Sequence, residues 1–339
     1  MSGNVIVVGA SAGGVQALQT IASVLPADFA APLIVVLHIG RHRSRMPELL
    51  SARGALPAVH ASDGERVVPG KIYVAPPDHH VLLDGQVLRL NRGPKEHHTR
   101  PAVDPLFRSA ALSRGPDVVG VVLSGWLDDG TAGLQAIKAA GGVAVAQDPL
   151  DAQVPSMPRS ALTYVDVDHC MPVDGMAALL AKLIRRPPNA AAAPRPEAAG
   201  RVAPRAIDRH EHDLMLHEGN PMENLRAIGK PSALTCPDCH GGLWEIDGSR
   251  PLRLRCHTGH AFTIRSLQHA QAESTDATLA SAVRALQERQ LIVERMAALA
   301  HEAGETNEAA GLQVEARLLE EQTDALFRLQ LASNANPVE

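Results

Sequence analysis

Ser11 is the residue whose setting most clearly suggests chemistry, because it lies between glycines where an apolar run ends. Residues 5–8 are all Val or Ile, which predicts a buried strand, and Val15 and Leu18 then recur at helical spacing. Residues 9–13 read Gly-Ala-Ser-Ala-Gly, which matches the Gly-x-Ser-x-Gly turn that lifts a serine hydroxyl out of a sheet. A serine between glycines is also often only a turn or helix-cap residue, so it needs partners.

A histidine and an aspartate occupy positions where partners of a nucleophilic serine are expected. Such a serine needs a base to take its proton and a carboxylate to orient that base. His38 and Asp129 each follow a predicted strand, as the serine does, so the three side chains are expected to meet at one edge of the sheet. Spacing alone leaves His79 and His80 open as alternative bases. Backbone N–H groups at the start of the helix after the serine could stabilise an oxyanion.

Strands and helices alternate along the first half of the chain. Asp84-Gly85 separates two short alternating runs and predicts a hairpin turn. Apolar runs predict strands near residues 5–8, 31–38, 117–124 and 143–146, and shorter strands near Val59 and within residues 70–77. The predicted class is therefore α/β, with a doubly wound, mostly parallel sheet and one antiparallel excursion.

The composition is that of a globular protein. Hydrophobic residues make up 45% of the 339 residues and aromatic residues only 2%, so Val, Leu, Ile and Ala are expected to build the core. The net charge of -5 gives no reason to expect a nucleic-acid partner. No apolar run is long enough to span a bilayer, and the first residues do not resemble a leader. No membrane insertion is therefore expected, and the cytoplasm is the expected compartment.

Three of the four cysteines cluster with a histidine in the manner of a zinc ribbon. Residues 236–239 read Cys-Pro-Asp-Cys and residues 256–260 read Cys-His-Thr-Gly-His, two knuckles that could each supply two ligands. His257 is disfavoured because it adjoins a ligating cysteine, and His240 is a weaker alternative; unmetallated thiols are the alternative to a metal site. The predicted ligands of a structural zinc ion are Cys236, Cys239, Cys256 and His260.

Composition divides the chain into four predicted parts. Residues 1–186 carry the α/β pattern, and an Ala/Pro-rich stretch opens the linker and connector of residues 187–230. A zinc-ribbon-like module spans residues 231–268. Residues 269–333 carry two apolar stripes at helical spacing, which predict a C-terminal α-helical hairpin and a homodimer contact through it.

Ordered motifs across the first part resemble one known family. They are Gly9-Ala-Ser-Ala-Gly-Gly14, Leu37-His38, Lys71-Ile-Tyr-Val-Ala-Pro-Pro-Asp-His-His80, Arg100-Pro-Ala-Val-Asp104, Leu106-Phe107, Leu123-Ser-Gly125, Asp129-Gly130, Gly141-Gly142, Gln147-Asp148-Pro149 and Met157-Pro158. In these motifs, residues 4–185 resemble the catalytic domain of CheB, the chemotaxis protein-glutamate methylesterase. The resemblance implies Ser11 as nucleophile, His38 as general base, Asp129 as carboxylate and Arg100 as a substrate-binding residue.

The resemblance also implies a reaction and partners. The reaction is hydrolysis of glutamyl methyl esters on a methylated chemoreceptor or related signalling protein, with glutamine deamidation as a related activity and no cofactor for catalysis. The family usually carries a receiver domain before the catalytic domain, and none is expected here because Ser11 is close to Met1. A separate receiver-domain protein or a methyltransferase is therefore an expected partner.

The loop before Asp129 departs from the family pattern. Trp126 and Leu127 stand where Met and Gly are usual, and the lost glycine matters if the backbone there needs a positive φ. Asp128 adjoins Asp129, and only the alignment with Gly130 selects the second aspartate. A catalytically impaired scaffold with the same fold is the alternative function.

Overall fold

The computed structural model describes residues 4–39, 43–184 and 204–334. The chain divides into two compact units, residues 1–267 and residues 268–339. Residues 187–203 of the predicted linker lie outside the described residues.

A seven-stranded sheet forms the centre of the first unit. Its strands are β1 (Val5–Ala10), β2 (Leu33–Leu37), β3 (Ala58–His60), β4 (Ile72–Val74), β7 (Val118–Val122), β8 (Val143–Gln147) and β9 (His169–Met171). Their order is β3-β4-β2-β1-β7-β8-β9, and every neighbouring pair is parallel. All six residues of β1 are buried, as expected for a strand covered on both faces.

Helices cover both faces of this sheet, which confirms the predicted doubly wound α/β class. They are α1 (Gly14–Val24), α2 (Met46–Arg53), α3 (Val103–Arg114), α4 (Thr131–Ala139), α5 (Ser156–Tyr164) and α6 (Val173–Ile184). Val5 and Val7 pack in one core with residues of α3, α4 and α5, while Ile6 and Val8 pack in another with residues of α1, α2 and α6. The alternation of side chains along β1 therefore divides the core into two layers.

The predicted antiparallel excursion is a separate hairpin of β5 (His80–Asp84) and β6 (Val87–Asn91), and its turn contains Gly85 with φ 60°. The hairpin lies against α3, where the Leu83 N–H donates to the Ser109 hydroxyl at 3.0 Å.

A second, smaller sheet follows two helices, α7 (Pro204–Leu216) and α8 (Pro221–Ile228). Its strands are β10 (Gly229–Thr235), β11 (Gly242–Ile246), β12 (Arg253–Cys256) and β13 (Ala261–Thr263). They pair antiparallel in chain order, and this four-stranded sheet is called the Cys/His sheet below. Leu214, Leu225, Ile228 and Ile246 form the core between it and the two helices.

Buried ion pairs join the Cys/His sheet to the α/β domain. Arg255 of β12 and Arg108 of α3 both donate to Glu96 Oε1, at 2.8 and 2.6 Å. These three side chains are at most 2% exposed. Arg253 donates to Glu211 of α7 at 2.6 Å. Because an unpaired buried charge costs several kcal/mol, these contacts depend on one another.

The second unit contains the predicted helical hairpin. Helix α9 (Ile264–Glu302) begins within the first unit, ahead of the apolar stripe that predicted it, and α10 (Thr306–Asn334) follows a short turn. Val293, Ala316 and Leu319 are buried between the helices, and Arg289 pairs with Glu315 at 2.7 Å. None of the helices in the described ranges combines the length and apolar character needed to cross a membrane.

Glycines allow α3 to lie close to its neighbours. A Cβ at Gly9 of β1 would lie 2.3 Å from Val103 Cγ1, and a Cβ at Gly133 of α4 would lie 2.4 Å from Phe107 Cβ. Both distances are far shorter than any van der Waals contact. The first half of α3 can therefore lie this close to β1 and α4 because these two residues lack side chains.

We expect Gly9→Ala to displace the first turn of α3, because the β-branched Val103 has few rotamers with which to avoid the new methyl group. The free energy of unfolding should fall by about 1–3 kcal/mol, as in other overpacked cores. Urea denaturation measures this change. Gly311→Ala in α10 is the control, since a Cβ there meets nothing within 4 Å. Equal stability of Gly9→Ala and the wild type would contradict the packing argument.

Candidate active site

Ser11 directly follows β1 at the carboxyl edge of the large sheet. Its N–H donates to the Ser124 carbonyl at 2.9 Å, and its carbonyl accepts from the Gly14 N–H at 2.9 Å. Gly125 leaves room for it, because a Cβ there would lie 2.7 Å from the Ser11 Cβ and 2.0 Å from Met157 Sδ. The serine turn is thus held between the ends of β1 and β7, with the serine only half-buried.

His38 follows the neighbouring strand. Ala10 of β1 lies opposite Leu37 of β2, and the His38 N–H donates to the Ala10 carbonyl at 3.2 Å. The imidazole Nε2 lies 2.8 Å from Asp129 Oδ2. Within the described ranges, no hydrogen bond joins the Ser11 hydroxyl to this ring. A carboxylate on Nε2 favours the tautomer protonated there, which leaves Nδ1 as the basic nitrogen.

Asp129 accepts hydrogen bonds at the amino end of α3. Its Oδ2 accepts from the Val103 N–H at 2.7 Å, and its Oδ1 accepts from the N–H groups of Asp104 and Gly130 at 2.9 and 2.8 Å. The first N–H groups of a helix have no intrahelical partner and favour a negative charge. Asp129 therefore caps α3 from another element, and the same carboxylate holds His38.

A second histidine, His97, lies behind Asp129, and the sequence did not predict a role for it. Its side chain is 5% exposed, and its Nε2 lies 2.8 Å from Asp104 Oδ2 and 3.6 Å from Asp129 Oδ1. Burial lowers the pKa of His97, but the neighbouring charges of Asp129, Asp104 and Asp128 raise it to about 10. His97 is therefore an imidazolium at neutral pH.

The pKa of Asp129 reflects the same neighbours. Burial raises this pKa, and the positive charge of His97 together with the hydrogen bonds from His38 and Val103 lowers it to about 2. Asp129 is therefore ionised at neutral pH, as an orienting carboxylate must be.

Asp128 and Asp129 are adjacent in sequence but have different partners. Asp128 Oδ1 accepts from the Thr263 hydroxyl of β13 at 2.8 Å. Burial raises the pKa of Asp128, and its Oδ2 has no hydrogen-bond partner in the part of the chain that is described. Of the two aspartates, Asp129 is the one bonded to His38.

The alternative bases His79 and His80 have backbone partners. His79 Nδ1 lies 2.9 Å from the Pro77 carbonyl. His80 is fully buried, with Nε2 3.0 Å from the Pro94 carbonyl and Nδ1 accepting from the Ala102 N–H at 3.3 Å. Burial lowers the pKa of His80 to about 4. Both of its ring nitrogens are engaged, which leaves neither available for a serine proton.

Arg100, the predicted substrate-binding residue, makes its contacts within the protein. Its guanidinium donates to Asp78 Oδ1 at 2.9 and 2.7 Å, and to the carbonyls of Arg92 and Gly93 at 2.9 and 2.7 Å. Its side chain is 14% exposed. Arg100 therefore fastens the segment between β6 and α3, and a contact with substrate stays a prediction.

The four predicted zinc ligands lie together in the Cys/His sheet. Cys256 Sγ lies 3.6 Å from Cys239 Sγ and 3.6 Å from His260 Nδ1. A tetrahedral zinc ion with ordinary bond lengths separates two sulfur ligands by about 3.8 Å, and sulfur from nitrogen by about 3.6 Å. The donor set and its spacing therefore fit zinc. One ligand atom from each residue lies within 4.8 Å of the others, the set being Cys236, Cys239, Cys256 and His260.

Backbone hydrogen bonds shape the two knuckles. The N–H of Cys236 donates to the Gly241 carbonyl at 2.8 Å, and the N–H of Gly259 donates to the Cys256 carbonyl at 2.9 Å. The Thr258 hydroxyl donates to Cys239 Sγ at 3.5 Å. Such contacts orient thiolate ligands and offset part of their charge.

Known proteins resemble the α/β domain in sequence and in fold. Residues 6–180 match the CheB methylesterase family model. A putative protein-glutamate methylesterase/protein-glutamine glutaminase of Leptospira interrogans is 36% identical over 185 residues, which are 54% of this chain and 96% of that protein. Protein-glutamate methylesterase/protein-glutamine glutaminase 5 of Myxococcus xanthus is 40% identical over 187 residues, 54% of each chain.

A solved structure of the same family also resembles the α/β domain. The crystal structure of the Thermotoga maritima CheB methylesterase catalytic domain matches with a TM-score of 0.53 and 33% identity, covering 54% of this chain and 100% of that one. The predicted fold class and enzyme class are confirmed, since the relatives are named as methylesterases and glutaminases. The family match ends at residue 180, ahead of α7, α8 and the Cys/His sheet. The chain belongs to the CheB methylesterase family.

Proposed function

We propose that this chain hydrolyses glutamyl methyl esters on a chemoreceptor-like signalling protein, with Ser11, His38 and Asp129 as its catalytic triad. The observation that carries the proposal is the 2.8 Å hydrogen bond between His38 and Asp129, beside a serine at the end of the adjoining strand. The substrate class is the one named for the Leptospira and Myxococcus relatives. Deamidation of glutamine is proposed for the same site.

In the proposed mechanism, Ser11 Oγ attacks the ester carbonyl while His38 Nδ1 takes the serine proton. The tetrahedral intermediate collapses while His38 returns the proton to the leaving oxygen. Methanol departs, and the glutamyl group remains bound to Ser11 as an ester. Water then gives a proton to His38 and attacks this ester. The bond between the acyl carbon and Ser11 Oγ breaks, His38 returns the proton to Ser11 Oγ, and the glutamate side chain is released. Ammonia replaces methanol when the substrate is glutamine. Asp129 orients the imidazole and stabilises its positive charge throughout.

The turn after Ser11 offers donors for the oxyanion. The N–H groups of Ala12 and Gly13 meet no backbone acceptor among the residues described, and they lie just before α1, whose amino end favours negative charge. The Ser124 hydroxyl donates to the Ala12 carbonyl at 2.7 Å. This bond fixes one peptide of the turn, so the donors are in place before substrate binds.

The alternative function, a scaffold with impaired turnover, is favoured by one observation. No hydrogen bond joins the Ser11 hydroxyl to His38 in the described chain, and such bonds often tighten only when substrate is bound. The intact His38–Asp129 contact supports the enzyme over the scaffold.

The unusual loop residue Leu127 keeps a backbone conformation that glycine adopts freely. Its φ is 60°, and the left-handed region costs a residue with a Cβ about 1–2 kcal/mol. Asp129, two residues later, still reaches His38. The strain therefore affects the stability of the loop rather than the position of the carboxylate.

We also propose zinc as a structural ion of the Cys/His sheet. Four protein ligands would close its coordination sphere and leave no position for substrate, which is the arrangement of structural rather than catalytic zinc sites. None of the four cysteines forms a disulfide bond, which fits a reducing compartment such as the cytoplasm.

The regulatory partners stay predictions. A separate receiver-domain protein or a methyltransferase is proposed as a partner of the α/β domain. A homodimer through α9 and α10 is supported by apolar side chains that these helices expose, including Leu291 and Ile292, which are 65% and 61% exposed.

We expect Ser11→Ala to abolish methanol release from a methylated receptor, and Asp129→Asn to lower kcat by about 10³–10⁴. The amide cannot hold His38 in the tautomer that leaves Nδ1 basic. Gas chromatography of released methanol measures the rate. Ser23→Ala, on the exposed side of α1, is the control. A wild type that neither releases methanol nor reacts with a fluorophosphonate at Ser11 would establish the scaffold instead.

Leu127→Gly is expected to raise the free energy of unfolding by up to about 1 kcal/mol, since relief of the left-handed strain exceeds the added entropy of the unfolded chain. Thermal unfolding measures the change. Leu150→Gly is the matched control, because Leu150 is an exposed loop leucine outside the positive-φ residues, and its variant should lose stability. A loss of stability in both variants would show that the strain at Leu127 is smaller than the cost of losing its half-buried side chain and of adding a glycine to the unfolded chain.

Protein purified without chelator should contain about one equivalent of zinc, as expected for one closed tetrahedral site. Cys256→Ser should lose most of this zinc, because a hydroxyl is a poor zinc ligand. His257→Ala should retain it, since that ring is outside the ligand group. Elemental analysis by mass spectrometry measures the content. Less than about half an equivalent in the wild type would reject the site.

A further inference from the structure

Three buried carboxylates surround one histidine behind the proposed triad. His97 Nε2 lies 2.8 Å from Asp104 Oδ2 and 3.6 Å from Asp129 Oδ1, and its Nδ1 lies 3.7 Å from Asp128 Oδ1. No side chain of this group is more than 5% exposed. Three carboxylates buried so close together repel one another, and the imidazolium is the cation at their centre.

Hydrogen bonds hold the His97 ring in a fixed orientation. Nε2 donates to Asp104, whose other oxygen accepts from the Gly133 N–H at 2.6 Å. Nδ1 lies 3.2 Å from the Ser266 hydroxyl, which also accepts from the Thr263 N–H at 2.9 Å. Both ring nitrogens therefore have an acceptor, which is the pattern of a charged imidazolium. The carboxylate oxygens nearest the ring already accept hydrogen bonds, from His97 itself, from backbone N–H groups and from Thr263, which is the arrangement of a charge cluster.

The support for His97 comes from the segment that follows the zinc knuckles. The His97 N–H donates to the Ala261 carbonyl of β13 at 2.7 Å, and the Thr263 hydroxyl donates to Asp128 at 2.8 Å. Thr263 and Ser266 also bond to each other in both directions across the first turn of α9, as in a capping box. These reciprocal bonds hold the two hydroxyl groups in place beside the carboxylate cluster.

We propose that His97 is a positioning residue of the esterase, held by Ser266 of the segment after the Cys/His sheet, and that its ring, 3.6 Å from Asp129 Oδ1, keeps that carboxylate turned toward His38. The inference rests on the proposed function, because it acts through the triad carboxylate. Thr263 and Ser266 lie beyond the family match, which ends at residue 180. In this chain, the C-terminal segment therefore completes the support of the active site.

His97→Gln tests the role of the charge. Glutamine can still donate to Asp104 but is neutral, so Asp129 loses its neighbouring cation. We expect kcat for methyl ester hydrolysis to fall about 10–100-fold, as for other residues that orient a functional side chain. KM should change little, because the ester does not contact His97. The rate of fluorophosphonate labelling at Ser11 should fall in parallel, and it reports on serine activation without the receptor substrate.

Two further variants separate positioning from stability. Ser266→Ala removes the Nδ1 partner of His97 and should lower the labelling rate less than His97→Gln does. It also serves as the test if His97→Gln does not fold, as judged by circular dichroism. Leu180→Ala removes a buried side chain of α6 from the core layer on the face of the sheet opposite α3, so it should lower the unfolding temperature while leaving the labelling rate unchanged.

The outcomes distinguish this inference from the proposed function. Wild-type kcat and labelling rate in folded His97→Gln, or in Ser266→Ala if that is the variant that folds, would overturn the role of His97 and leave the esterase standing. An equal loss of labelling in Leu180→Ala would show that the effect of His97→Gln is one of stability alone, and that His97 is a structural residue. A wild type that labels but releases no methanol would overturn the substrate, and the labelling rates would still test His97. A wild-type protein that does not react with the fluorophosphonate at Ser11 would overturn both the proposed function and the role of His97.

Discussion

The carboxylate of Asp129 is the point on which the active site depends. It accepts three backbone N–H groups, two of them from the first turn of α3, and it binds His38. Backbone donors cannot rotate away as side chains can, so the position of α3 sets the position of the imidazole. That position in turn requires glycine at residue 9, where the first turn of α3 meets the central strand.

Charge balance governs the region between the α/β domain and the Cys/His sheet. Glu96 is shared by Arg108 and Arg255, and His97 is shared by three aspartates. Buried pairs of this kind add little net stability, since desolvation offsets much of their attraction. Each is costly to break, however, because the remaining charge is then unpaired. Any displacement of the Cys/His sheet that separates these pairs is therefore penalised.

The elements that position the serine were predictable because local patterns encode them. Apolar runs predicted the strands of the sheet, and the residues that end those runs predicted that Ser11 and His38 would lie side by side. The Asp84-Gly85 turn was equally local. His97 and Ser266 were not predictable, because they meet across 169 residues of sequence and neither lies in a motif. The partners of Arg100 were not predictable either. Nothing in its motif indicated that its guanidinium donates hydrogen bonds to Asp78 and to two backbone carbonyls.

The shared Glu96 has a consequence for where this protein can be divided. The Thermotoga relative was crystallised as a catalytic domain, which suggests a cut near residue 184 as an expression boundary. Such a truncation would retain the serine, the histidine and the aspartate, yet it would remove Arg255 from Glu96 and both hydroxyls from the group around His97. Glu96 and His97, which are buried in the longer chain, would become exposed to solvent. A catalytic domain of this chain cut at the family boundary would therefore lack partners of Glu96 and His97 that the longer chain supplies.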